Sequence, residues 1–131
     1  MPKVLVVPAP LFQQPGKHLE MLRAAGFDVV YPPAKKAVLT EPEITQALDG
    51  VSAVIAGSEP YNERVLAAAA DLRVISRSGV GSDAIVLDAA TRRRVVVTIT
   101  PGTNHDAVAE TTLALLIALP TVAQERDGEP G

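Results

Sequence analysis

Short runs of β-branched and aliphatic residues alternate along the chain with stretches whose apolar positions recur every three or four residues. Val4-Leu5-Val6-Val7, Phe27-Asp28-Val29-Val30-Tyr31, Val51 to Ala56, Leu72-Arg73-Val74-Ile75-Ser76 and Val95-Val96-Val97-Thr98-Ile99 are each soon closed by Pro or Gly. Runs of that length and composition read as buried strands. Helical patterns lie between them. One runs from Gly16-Lys17-His18 through Leu19 and Leu22 and stops at Gly26, the C′ position that favours glycine. A second spans Glu43 to Leu48, entered through Thr40-Glu41-Pro42, where threonine caps and proline suits the first turn. A third spans Asn62 to Ala70 with Asn62 as N-cap, and a fourth Asp88 to Arg93. Strands that alternate with helices throughout predict an α/β fold with a parallel sheet and right-handed crossovers.

A last helix begins at Thr103 or Asn104, with Asp106 and Glu110 near its positive end. Through Leu119 it is apolar nearly all round, so it must be buried between two bodies. The pattern divides the chain into an α/β domain over 1–103, a long helix over 104–119 and a polar, turn-rich tail over 120–131.

Composition narrows the function classes. The 131 residues suffice for one domain with a real core and are too few for two ordinary ones. Net charge is −3, and basic residues are massed only at Arg92-Arg93-Arg94, read as a solvated helix end, so nucleic acid has no electrostatic footprint. With no cysteine, a disulfide scaffold and thiol chemistry are excluded. The longest apolar run, Leu113 to Leu119, falls far short of the roughly 20 residues of a membrane span. Met1-Pro2-Lys3 leads directly into a strand, without a signal peptide. The expectation is a soluble, cytoplasmic protein with neither nucleic acid nor membrane as partner.

Candidate chemistry concentrates between Leu72 and Glu110. Arg77-Ser78-Gly79-Val80-Gly81 follows a strand, and its glycines permit positive φ or close approach of a ligand to backbone N–H groups. Thr100-Pro101-Gly102 closes the next strand, and open α/β sheets bind ligands at such carboxyl ends. Gly79-x-Gly81-x-x-Ala84 superficially fits a dinucleotide fingerprint, but the following strand ends Thr98-Ile99-Thr100 without the acid that would hold a ribose. Arg77 either balances a substrate charge or packs its stem while pairing with Asp83. Glu59 reads as a solvated loop acid, and His18 as a surface residue. His105, beside Asp106 and Glu110, lacks a second histidine or cysteine, so a helix cap is favoured over a metal site.

Three features coincide at fixed spacing: S-G-V-G-x-D at Ser78–Asp83, L-D-A-A-T at Leu87–Thr91 and T-P-G-x-N-x-x-x-V-A-E at Thr100–Glu110. With them, Arg73 to Leu119 resembles the D-isomer-specific 2-hydroxyacid dehydrogenases, the family of phosphoglycerate, glycerate and formate dehydrogenases. The resemblance implies a flavodoxin-like open parallel five-stranded sheet with helices on both faces, followed by the long apolar helix. It assigns the chain to the substrate-binding domain of an NAD-dependent oxidoreductase acting on CH–OH. Backbone N–H groups of Ser78, Gly79, Val80 and Gly81 would hold the carboxylate of a small 2-hydroxy or 2-oxo acid, with the Asn104 amide in reach and Arg77 beside them.

The family's catalytic arginine, glutamate and histidine, and its nucleotide fingerprint, lie beyond the T-P-G-x-N motif. This chain is therefore expected to carry no catalytic, cofactor-binding or metal residue and to be inactive alone, with NAD implied only for a full-length enzyme. The apolar helix over 104–119 further suggests a homo-oligomer, a dimer, formed through that helix or an absent nucleotide domain. Several positions depart from the family: Arg94 stands where glycine is common, Ala84 where asparagine is, Ile99 where a polar residue is, and Gly57 where phosphoglycerate-specific members carry arginine. The alternative expectation is a stand-alone, non-catalytic module that binds a small carboxylate or another protein.

Overall fold

The computed structural model describes residues 1–79 and 81–100. Five parallel strands run β1 Lys3–Val6, β2 Asp28–Val30, β3 Ala53–Ala56, β4 Val74–Arg77 and β5 Val96–Thr98. Four helices connect them: α1 Lys17–Ala24, α2 Glu41–Ala47, α3 Glu63–Ala68 and α4 Leu87–Arg92. A 3₁₀ turn at Ala9–Leu11 follows β1. The strands lie in the order β2-β1-β3-β4-β5, all parallel, so the chain reverses direction across the sheet between β1 and β3. This is the flavodoxin-like order, whose ligand crevice lies beyond the carboxyl ends of the strands. The predicted 104–119 helix and 120–131 tail lie outside the described residues.

Each helix begins and ends where local chemistry dictates. Gly26 takes φ +88° and closes α1, and the Phe27 N–H donates to Leu22 O at 3.0 Å. At α2 the Thr40 N–H donates to Glu43 Oε2 at 2.8 Å, half of a reciprocal Thr-x-x-Glu cap. The cap starts the helix at Glu41, earlier than the apolar periodicity alone indicates. Asn62 Oδ1 accepts from Val65 N–H at 3.0 Å and caps α3. Side chains alternate across the strands. Leu5, Val54 and Ile75 face a core closed by Ile44 of α2, Val65 and Leu66 of α3, and Ala89 and Ala90 of α4. Val4, Val6 and Leu19 of α1 are buried outside that cluster. Two surface expectations are corrected. His18 is half-buried, its Nε2 shut from solvent and without a partner among the described residues. Glu59 is fully buried.

Candidate functional site

Where β3 and β4 end side by side, Ala56 pairs with Arg77 in the sheet register, and the loops that follow form opposite walls of one cavity. The cavity holds about 190 Å³ and is lined by Ser58 from the β3 loop and by Arg77, Gly81, Asp83 and Ala84 from the β4 loop. A larger space of about 340 Å³ lies between Tyr31, the Pro32-Pro33 turn and α2, and none of the described glycine-loop residues lines it. The smaller cavity has the chemistry: a guanidinium, a hydroxyl and a glycine loop at the strand ends.

Arg77 is half-buried. Its Nη1 donates to Ser78 O at 2.7 Å and its Nη2 to Ser58 Oγ at 3.5 Å. Of the two alternatives for Arg77, the pairing with Asp83 does not form: the guanidinium bonds Ser78 O and Ser58 Oγ instead. A Cβ placed on Gly79 would lie 3.0 Å from Arg77 Nη1. Gly79 itself takes φ +150°, so the backbone favours glycine there, and any larger residue would also displace the Arg77 guanidinium. Gly81 does not share this restriction: a Cβ there meets nothing within 4 Å, and its backbone faces open space.

The loop amides divide into two kinds. Ser78 N–H donates to Ala56 O at 2.9 Å, extending the β3–β4 ladder. Gly79 N–H donates to Thr100 Oγ1 at 3.0 Å and to Arg77 O at 3.0 Å. Gly81 N–H meets no acceptor among the described residues. Of the four residues singled out for carboxylate contact, Gly81 lines the cavity with Arg77 and has no amide acceptor among the described residues, while the Ser78 and Gly79 amides are engaged. Val80 and Asn104 lie outside the described residues, as does His105.

Next in sequence to Ser58 of the cavity lining is a residue that sequence reasoning misplaced. Glu59 is 1% exposed. Its Oε2 accepts from Gly57 N–H at 3.0 Å and from Tyr61 O–H at 2.9 Å. Tyr61 is fully buried, and burial, reinforced by the neighbouring Glu59 charge and hydrogen bond, pushes its phenol far above the ordinary tyrosine value. The Tyr61 backbone also bridges to the segment after the glycine loop: its N–H donates to Ala84 O at 2.8 Å, and Val86 N–H donates to Tyr61 O at 3.0 Å. One signal was present in the sequence. Gly57, Glu59 and Tyr61 alternate, as residues must to share one side of an extended segment.

The described residues do not fit a dinucleotide. Gly79, which would approach the pyrophosphate, has its amide engaged by Thr100, and α4 starts only at Leu87. β5 ends at Thr98 and leads into Ile99-Thr100, with no carboxylate for a ribose. Among the described residues no helix is long and apolar enough to cross a membrane.

Comparison with known proteins identifies the family and the fold. Residues 8–126 match the family described as D-isomer specific 2-hydroxyacid dehydrogenase, catalytic domain. The chain is 32% identical over 101 residues to the D-3-phosphoglycerate dehydrogenase of Archaeoglobus fulgidus, a match covering 76% of this chain and 18% of that protein. Among solved structures, a protein from Thermus thermophilus superposes with a TM-score of 0.77 at 34% identity, over 96% of this chain and 40% of that one. An NAD⁺-bound 3-phosphoglycerate dehydrogenase from Entamoeba histolytica superposes with a TM-score of 0.74 at 25% identity, over 88% of this chain and 38% of that one. The chain thus spans well under half the length of each.

Proposed function

Because the chain belongs to the D-isomer specific 2-hydroxyacid dehydrogenase family, we propose that it forms the substrate-binding part of an NAD-dependent enzyme acting on a small 2-hydroxy or 2-oxo acid. The observation that carries this reading is the cavity at the ends of β3 and β4, where the Arg77 guanidinium and the Gly81 loop converge. A carboxylate is bound well by a guanidinium together with a backbone N–H, since both are donors and charge assistance strengthens the bonds. Val80 and Asn104 complete the carboxylate contacts in this reading. A nicotinamide cofactor would supply or take the hydride at C2; the described residues offer it no site, and their part is to bind and orient the acid. The whole enzyme would act as a homodimer in the cytoplasm, with the 104–119 segment or a nucleotide domain as the joining element.

Calorimetric titration of the chain with glyoxylate tests the site. Binding is expected in the native sequence and lost in Gly81→Val, whose side chain fills the space over the Gly81 amide while leaving the fold intact. Equal affinity in both would sink the assignment. A second reading, a non-catalytic carboxylate-binding module, rests on the same cavity, since binding requires no cofactor. The intact mass of the gene product in its native cell separates the two. A mass well above that of 131 residues supports the dehydrogenase, and an equal mass supports the module.

A further inference from the structure

A buried carboxylate is costly unless hydrogen bonds replace its water, so its position calls for a reason. Glu59 has two donors on a single oxygen, Gly57 N–H and Tyr61 O–H. Those donors belong to the two ends of the β3 loop, and Tyr61 is in turn pinned by backbone bonds to Ala84 and Val86, on the far side of the glycine loop. Ser58 sits inside the span thus fixed, and its hydroxyl faces Arg77. Ser58, Arg77 and Ala84 line the same cavity. Among the described residues, two links therefore join the walls beyond the strand ends: the Arg77–Ser58 hydrogen bond and the path Gly57–Glu59–Tyr61–Ala84.

Gly57 belongs to the same device. A Cβ there would lie 2.4 Å from Glu59 Oε1, far inside contact distance, so the carboxylate can fold back onto this strand end only over a glycine. The three residues are mutually dependent: the glycine gives room, the carboxylate fills it, and the phenol ties that carboxylate to Tyr61, whose backbone bonds the second loop.

We propose that Glu59 and Tyr61 are positioning residues of the carboxylate cavity, clasping its β3 wall to its β4 wall over Gly57. The inference rests on the reading of that cavity as an acid-binding site. The clasp sets the distance between Ser58 and the Gly81 loop, and through Ser58 it fixes the direction of the Arg77 guanidinium. Its loss leaves the sheet and core in place but lets the walls drift.

The test measures glyoxylate affinity of the 131-residue chain by calorimetry, far below each variant's Tm, together with the Tm itself. Tyr61→Phe and Glu59→Ala are expected to weaken binding about tenfold, the scale of a lost hydrogen bond to a charged group. Glu59→Gln is expected to stay near native affinity, because an amide oxygen accepts both donors. Gly57→Ala weakens binding by displacing the carboxylate, whereas Gly57→Ala combined with Glu59→Ala is no weaker than Glu59→Ala alone, since the clash is gone. A purely structural role would lower Tm and leave affinity unchanged, and that result overturns the proposal, as does strict additivity of the Gly57 and Glu59 effects. If the native chain binds no glyoxylate, the acid-binding reading fails by itself, and the clasp is read without ligand. Faster amide exchange at Gly57 and Val86 in Tyr61→Phe supports it, and unaltered exchange overturns it.

Discussion

Thr100 ties the β4 loop to the exit of β5: its Oγ1 accepts the Gly79 N–H at 3.0 Å, and its own N–H donates to Gly79 O at 2.9 Å. The hydroxyl also donates to Gly79 O at 3.1 Å. The first glycine of the S-G-V-G motif is thereby a structural residue, held from both sides, and the second is the one left open toward the cavity. The motif is a pair of positions with different work.

Alanine at the two glycines separates these roles. Gly79→Ala forces a Cβ at φ +150° and against Arg77, and is expected to cost on the order of 1–3 kcal/mol. Gly81→Ala meets open space and is expected to fall within about 0.5 kcal/mol of the native chain. Urea denaturation curves compare the two directly; equal losses would contradict the assignment.

Arg94 takes φ +57°, a left-handed conformation that an L side chain adopts at a cost and glycine does not. Arg94→Gly is therefore expected to stabilise the fold, by up to about 1 kcal/mol once the looser unfolded chain is counted. A rise in Tm checks this. A fall would show that the Arg94 side chain makes a contribution larger than its backbone strain.

Glu43 pairs with Lys36 and accepts the Thr40 N–H, and these bonds hold its carboxyl below the ordinary glutamate value. A lowered folded-state pKa contributes stability that is present above the unfolded value and is lost as pH falls through the folded one. Native stability is thus expected to decline on acidification through that window, and Glu43→Gln to decline less steeply. Denaturation midpoints across the acid range decide between parallel and divergent profiles.

Tyr61 is expected to stay protonated as long as the fold persists. Its raised pKa contributes stability that is whole below the unfolded value of 10.0 and is lost as pH climbs above it. An alkaline titration followed by phenolate absorbance is expected to show the Tyr61 phenolate only together with loss of the far-ultraviolet helix signal. A reversible Tyr61 phenolate step in the folded chain would refute the burial of this hydroxyl.

Much of this architecture is written locally. The β-branched runs, the caps at Thr40 and Asn62, and the stop at Gly26 each act through neighbours within a turn or two, so the sequence alone determined which segments are strands and helices and that the sheet is parallel. The S-G-V-G and T-P-G-x-N motifs likewise marked the end of β4 as the place of interest. Tertiary structure decided what depends on distant partners. Strand order, with β1 between β2 and β3, follows from which faces pack together and not from any single segment. Whether Ser78 and Gly79 keep their amides free was settled by Ala56 and Thr100, one strand away on either side. Glu59 looks in sequence like any loop acid; its burial required Tyr61 to be held against residues 84–86, which only the closed sheet brings there. Local propensity acts over a few residues, whereas the burial of a charge is set by every group that displaces its water.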